Sequence, residues 1–333
     1  MRDKEAERWL SILANLGRAA NTILAYRRAL NAYFEFCDLQ GKPAQAATSE
    51  HIALFVRSMT DCRSPAGRDV TQARSGLANA TMRQRLTAVR LYYDHLVEEG
   101  IRSGNPVGRG RYTQAGGFGG TRARALLPRY TSLPWIPNNE EWRAVLQAAK
   151  AGTQRNRLML ALAYDAGLRR EELCSLATGD VDPANRLLHI RAETTKGRRA
   201  RVVPYSAPTA SLLSGYIAHR RVLTRERGPL FVSESRRNRA APITLWTWSK
   251  VVRALASDAG VPRLATHTFR HLCLTDLARS GWELHEIATF AGHRSTSTTL
   301  LYIHLSGREL AAKFALAGSV HGSRMVQVEE ALG

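Results

Sequence analysis

Several stretches in the second half of the chain carry side chains suited to phosphate chemistry: "GLRREEL" with Arg169 and Glu172, "TTKGRR" with Lys196, "HTFRH" with His267 and Arg270, and "AGHRSTSTTLLYIH" with His293 and Tyr302. Breaking a phosphodiester without a metal needs a nucleophile, cations on the non-bridging oxygens and an acid for the departing oxygen. Tyr302 can attack, Arg169 and Arg270 can hold the phosphate, His267 and His293 can donate or shuttle protons, and Lys196 can protonate the leaving group.

Taken singly, each residue has an ordinary alternative. Arg169 and Glu172 stand at i and i+3 of a helix start, the spacing of a surface ion pair. Lys196 is one cation among several at a turn, with Arg198 and Arg199 as competitors for its role. Tyr302, beside Leu301 and Ile303, reads also as a core tyrosine with a satisfied hydroxyl, the role expected of Tyr112, Tyr164 and Tyr216. His-x-x-Arg occurs both at His267 to Arg270 and at His321 to Arg324, so that spacing alone says little in an arginine-rich chain. His267 and His271 lie four apart, as a zinc pair does, but residue 268 is Thr and no third ligand is evident, so no metal is expected and His271 reads as a packing or hydrogen-bonding partner.

These residues need a scaffold. Residues 1–105 read as a helical bundle built from "EAERWLSILANL", "NTILAYRRALNAYFEFCDLQGK", "TSEHIALFVRSM" and "NATMRQRLTAVRLYYDHLVEEG". In the second of these, Leu24, Leu30, Phe34 and Cys37 recur at helical spacing, Asn21 can cap the start, and Gly41 with Pro43 ends it. Residues 106–134 lose the amphipathic period, hold Gly and Pro, and carry Arg109, Arg111, Arg122, Arg124 and Arg129 with no acid nearby. That suits a linker along a phosphate backbone, and equally a loop with solvated charges. Residues 135–333 begin with helices over "NNEEWRAVLQAAKAG" and "NRLMLALAYDAGL". The period then changes at "RLLHIRAE" and "ARVVPYS", two short β runs flanking the basic tip "TTKGRR". Helices return at "TLWTWSKVVRALASDAG", "ATHTFRHLCLTDLARSG", "LHEIATFAG" and "RELAAKFALAG". The expected fold is mainly α with a small β-sheet.

Composition narrows the partners. The chain has 333 residues, a length suited to two domains, and 48 Lys plus Arg against 28 Asp plus Glu give a formal net charge of +20. A chain this basic is expected to meet a polyanion. No apolar run reaches the roughly 20 residues of a membrane span and the first residues are charged, which points to the cytosol. Cys37, Cys62, Cys174 and Cys273 are scattered, with no CxxC pair, and read as reduced core thiols.

The ordered set of "GLRREEL", a Lys at a hairpin tip, "HTFRH", "GH" and the following Tyr resembles the active site of the tyrosine recombinase, or phage integrase, family. "NTILAYRRALNAYFEFC" and "TMRQRLTAVRLYYDHLVEEGIRSGNP" resemble its core-binding (SAM-like) domain, and "YDAGLRREELCSLATGDVD" through "LLYIHLS" its catalytic domain. The resemblance implies a C-shaped clamp around double-stranded DNA carrying a specific recombination site. It implies Arg169, Lys196, His267, Arg270, His293 and Tyr302 as the catalytic set, with Glu172 orienting the first arginine. Strands are then cut through a 3′-phosphotyrosyl link by a homotetramer on two DNA sites, without metal, ATP or other cofactor. DNA contacts are expected from Arg83, Arg109, Arg111, Arg122, Arg124, Arg198 and Arg199. The linker is longer than in compact two-domain members, and with no further domain ahead of the bundle, binding to separate arm-type sites is not expected. A nucleoid-associated cytoplasmic protein, encoded by a bacterium or a mobile element, fits this reading. Two rivals stay open: a type IB topoisomerase, which shares the chemistry without partner exchange, and a regulator that kept the fold and lost catalysis. Target sequence and biological role, whether integration, excision, transposition or resolution, are not written in one chain.

Overall fold

The computed structural model describes residues 3–61, 76–108, 126–127, 134–195, 197–293 and 298–300. The chain divides into two compact units, Met1–Thr131 and Ser132–Gly333.

The first unit holds α1 (Lys4–Asn15), α2 (Ala20–Leu39), α3 (Ser49–Asp61) and α4 (Asn79–Glu98). Asp3 starts α1, its Oδ1 accepting from Ala6 N at 2.8 Å and from the Tyr92 hydroxyl at 3.1 Å. The inward face of α2 is Ala29, Leu30, Tyr33, Phe36 and Cys37, packed on Leu86, Val89, Tyr92 and Tyr93 of α4. Tyr33 and Tyr93 would leave buried hydroxyls, and the sequence answers with a chain: Tyr93 donates to Ala44 O at 2.7 Å, so its oxygen accepts the Tyr33 proton at 2.6 Å. Two expectations fail here. Leu24 is 43% exposed, because the buried stripe runs through Ala29 and Tyr33 and leaves Leu24 outside it. Asn21 lies inside α2, whose cap position is Ala19 with no side-chain bond. Val107, Leu126 and Leu127, in the stretch read as linker, pack on this unit's core.

The second unit opens with α5 (Asn139–Ala149), α6 (Gln154–Asp165) and the short α7 (Arg170–Cys174). Asn138 and Glu141 form a capping box at α5, and Thr153 caps α6. Then come β1 (Val181–Asp182), β2 (Leu187–Ile190) and β3 (Arg201–Pro204), an antiparallel sheet in the order β1-β2-β3. Leu188 and Ile190 point inward and pair with Val203 and Arg201, so strict alternation places an arginine on the buried face of β3. The helices α8 (Ala207–Leu223), α9 (Leu245–Asp258), α10 (Thr268–Arg279) and α11 (Leu284–Ala291) complete the unit around Leu158, Leu173, Tyr216, Phe231, Trp248 and Phe269. Helix α8 was not among the expected segments. Its sequence is rich in small polar residues, and it is anchored from outside: Asp165 Oδ2 accepts from Ser206 N at 2.7 Å and from the Thr209 hydroxyl at 2.6 Å. Cys37, Cys174 and Cys273 are buried free thiols, and Cys62 lies outside the described residues.

Candidate active site

The site is assembled on one buried carboxylate. Glu172, on α7, has a fully buried side chain, and each of its oxygens accepts two hydrogen bonds. Oε1 faces Arg169 Nη1 at 2.8 Å and Arg201 Nη1 at 3.0 Å; Oε2 faces the Arg169 backbone N at 3.0 Å and Arg201 Nη2 at 2.8 Å. Burial alone raises a carboxyl's pKa, but the hydrogen bonds and charge of Arg201, followed by those of Arg169, overcome it and hold Glu172 at about 2. The i, i+3 pair read from the sequence is thus a buried three-residue ion cluster. Its third member is Arg201, which sequence reasoning did not single out, although an arginine on the inward face of a strand demands a buried anion.

The other anchors are helix ends. The last carbonyls of a helix lack intrahelical donors and carry partial negative charge. At the end of α11, Phe290 O accepts from Arg201 Nε at 2.9 Å, Ala291 O from Arg270 Nη2 at 2.6 Å, and Gly292 O from Arg169 Nη2 at 3.4 Å. Just past α6, Gly167 O accepts from Arg270 Nη1 at 2.6 Å. Both helices stop on a left-handed glycine. Gly167 has φ +55°, and a Cβ there would come within 3.1 Å of the Phe290 ring. At Gly292, φ +61°, a Cβ would press on Arg201 at 3.1 Å. Gly292 N bonds Thr289 O and His293 N bonds Ala288 O, the paired bonds of a Schellman stop. That is what the "GH" pair does: the glycine turns the chain, and His293 is fixed in the next position.

Among the described residues His293 engages Arg270 Nη2, 3.0 Å from Nε2, and the Thr299 hydroxyl, 2.9 Å from Nδ1. A guanidinium only donates, so Nε2 accepts and the proton sits on Nδ1. Burial, then Arg270, Arg169 and Arg201, push its pKa down to about 4. Arg270 is 3% exposed. Arg169 is the guanidinium that opens to solvent, with 20% of its side chain exposed against 8% for Arg201, and its Nε–H has no partner among the described residues. Arg169 and Arg201 thus share one carboxylate while Arg270 is held by the carbonyls of Gly167 and Ala291, leaving an excess of positive charge at a partly open position.

His267 stands at the start of α10, three residues ahead of Arg270 and exposed. Its ring lies 6.3 Å from that of His271, whose pKa burial lowers to about 4. Arg198 and Arg199 are exposed on a turn closed by Arg198 N to Thr195 O at 3.1 Å and Arg199 N to the Thr195 hydroxyl at 3.0 Å. Lys196 and Tyr302 lie outside the described residues, as do Arg109, Arg111, Arg122, Arg124 and Tyr112. Arg83 is half-buried on α4, in the first unit. Tyr164 donates to Asp276 at 3.0 Å and Tyr216 to Leu230 O at 3.1 Å, so both are committed structurally.

Residues 137–309 match the phage integrase family, more than half of the chain, and residues 6–100 match the phage integrase N-terminal SAM-like domain. The chain belongs to the phage integrase family. Tyrosine recombinase XerC of Mycobacterium leprae (strain TN) is 30% identical over 246 residues, covering 71% of this chain and 76% of that protein. XerC of Mycobacterium sp. (strain KMS) is 28% identical over 305 residues, covering 89% and 92%. The fold is shared with XerH site-specific recombinase bound to palindromic difH substrate, at TM-score 0.65 and 20% identity over 90% of this chain and 80% of that one. It is shared also with a lambda integrase (75-356) dimer bound to a COC′ core site, at TM-score 0.65 and 18% identity over 91% and 95%. Of the residues singled out in the sequence, Arg169 and Glu172 at α7, Arg270 on α10 and His293 past α11 are brought together, with Arg201 of β3 added to them.

Proposed function

We propose that this integrase-family protein is a site-specific DNA recombinase that cuts and rejoins strands through a 3′-phosphotyrosyl ester on Tyr302. The observation that carries the reading is the convergence of Arg169, Arg270 and His293 on one partly open, cation-rich position from three separate stretches of chain. Arg169 and Arg270 bind the non-bridging oxygens of the scissile phosphate, with His293 and His267 beside them. Tyr302 passes its hydroxyl proton to His267 or His293 as its oxygen attacks phosphorus, the bond to the 5′-oxygen breaks, and Lys196 delivers the proton that oxygen needs. The free 5′-hydroxyl of a partner duplex then attacks the phosphotyrosyl ester and releases the tyrosine. Phosphate ester energy is kept in the intermediate, so the exchange runs without ATP. One tyrosine per cut strand and four strands in two duplexes call for four copies. Arg83, Arg109, Arg111, Arg122, Arg124, Arg198 and Arg199 hold the DNA backbone. A DNA substrate places the protein with the nucleoid in the cytoplasm; no helix among the described residues is long and apolar enough to cross a membrane.

The test is strand exchange between two short duplexes that share the binding site and differ in length. Recombinant lengths are the expected product; relaxation of supercoiled plasmid without exchanged lengths sinks the recombinase reading in favour of a topoisomerase.

The acid has its own test. Lys196→Ala slows cleavage by about 10²-fold or more, within the range for loss of a general acid, while DNA binding changes little. A substrate with sulfur at the 5′-bridging position, whose thiolate leaves unprotonated, restores the rate. Failure of that rescue moves the role to Arg198, Arg199 or His267.

A further inference from the structure

Fixing a helix end fixes the His293 backbone, but not its ring. The Schellman stop at Gly292 sets the main chain, and the imidazole still needs partners at both nitrogens to hold one orientation. One partner, Arg270, lies in the cation cluster and engages Nε2. The other comes from the opposite side: Thr299, with 0% exposure, presents its hydroxyl to Nδ1 at 2.9 Å. Residues 298–300 are helical, and Thr299 stands three residues ahead of Tyr302 in the sequence.

We propose that Thr299 is a positioning residue for the cleavage reaction, its hydroxyl holding His293 by Nδ1 so that Nε2 faces the phosphate position. The inference rests on the recombinase reading and adds to it a residue acting through another. A hydroxyl is the side chain suited to this place because it both donates and accepts. With the site empty, Nε2 accepts from Arg270, so Nδ1–H donates to Thr299. When an anionic oxygen arrives beside Arg270, Nε2 must carry a proton to donate to it. The ring takes up a proton at Nε2 from solvent and then either stays protonated at both nitrogens, with Nδ1–H still donating, or releases the Nδ1 proton to solvent and accepts at Nδ1 from the Thr299 O–H. Rotation about the Cβ–Oγ bond serves both states without moving the ring. A methyl group in the same volume serves neither.

The experiment compares wild type, Thr299→Val and Thr299→Ser in single-turnover cleavage of a nicked duplex carrying the binding site, alongside DNA titration and thermal melting of each protein. Val keeps the branched shape and removes the hydroxyl; Ser keeps the hydroxyl and removes the methyl. Thr299→Val is expected to cleave about tenfold more slowly, the loss of roughly one oriented hydrogen bond in the transition state, with DNA affinity and melting temperature near wild type. Thr299→Ser is expected within about threefold of wild type. Wild-type cleavage by the Val variant overturns the proposal, as does a Ser variant as slow as Val, which would assign the effect to packing of the methyl. If wild type itself forms no adduct on a verified site, it is the recombinase reading that fails, and the comparison separates the two.

Discussion

Glu172→Ala destabilises the second unit by about 3–5 kcal/mol and removes cleavage, because it takes the anion from the buried side chain of Arg201 and from the partly open Arg169 beside it. The carboxylate receives four hydrogen bonds from Arg169 and Arg201, and Arg201, with 8% of its side chain exposed, has little water to replace them. The fold then either admits water into the end of α11 or lets Arg201 swing out, and either movement disturbs the carbonyls of Phe290, Ala291 and Gly292 that also seat Arg270 and Arg169. Glu172→Gln is the sharper probe, since it keeps the shape and removes the charge. The pKa of about 2 against an ordinary 4.5 is worth roughly 3 kcal/mol to the folded state. The folded value is the lower one, so this stability is present above pH 4.5 and is lost as the pH falls toward 2. The gap between wild type and Glu172→Gln in urea denaturation is therefore expected to be full at pH 7 and to narrow below pH 4.5. A gap under 1 kcal/mol at neutral pH, or one that does not narrow, contradicts the central place given to this carboxylate.

How much of this was legible in the sequence depends on whether the cause was local. The helix stop at "AGH" is readable because a glycine and its neighbours decide it, and the β2 and β3 hairpin strands because alternation does. Arg169 and Glu172 were readable as a pair for the same reason. Arg201 was not: its partners are a carboxylate on α7 and a carbonyl on α11, and only the tertiary fold brings them to β3. Thr299 was hidden among neighbouring hydroxyls in "RSTSTT", all of them equally good helix caps on paper; the structure turns its hydroxyl to His293. Helix α8 escaped because its apolar face is thin, and an aspartate at the end of α6 holds its start. Leu24 erred in the opposite sense, since helical spacing lists candidates for a buried face without saying which stripe packing selects.

Tyr302→Phe removes one oxygen and keeps the ring, and it is expected to abolish chemistry while sparing binding. No neighbouring side chain replaces the nucleophile, since the attacking atom must lie in line with the leaving oxygen at about 3 Å and Leu301 and Ile303 are inert. Any loss of stability stays on the order of 1 kcal/mol for a hydrogen bond. The measurement is a denaturing gel of protein mixed with a nicked duplex whose cut fragment diffuses away, so that the covalent intermediate accumulates. Wild type is predicted to leave a slow band that survives detergent and disappears with protease, and Tyr302→Phe to leave none while shifting the same DNA on a native gel. A band of equal intensity from Tyr302→Phe would place the nucleophile elsewhere, and no band from wild type on DNA that it binds would contradict the recombinase account itself.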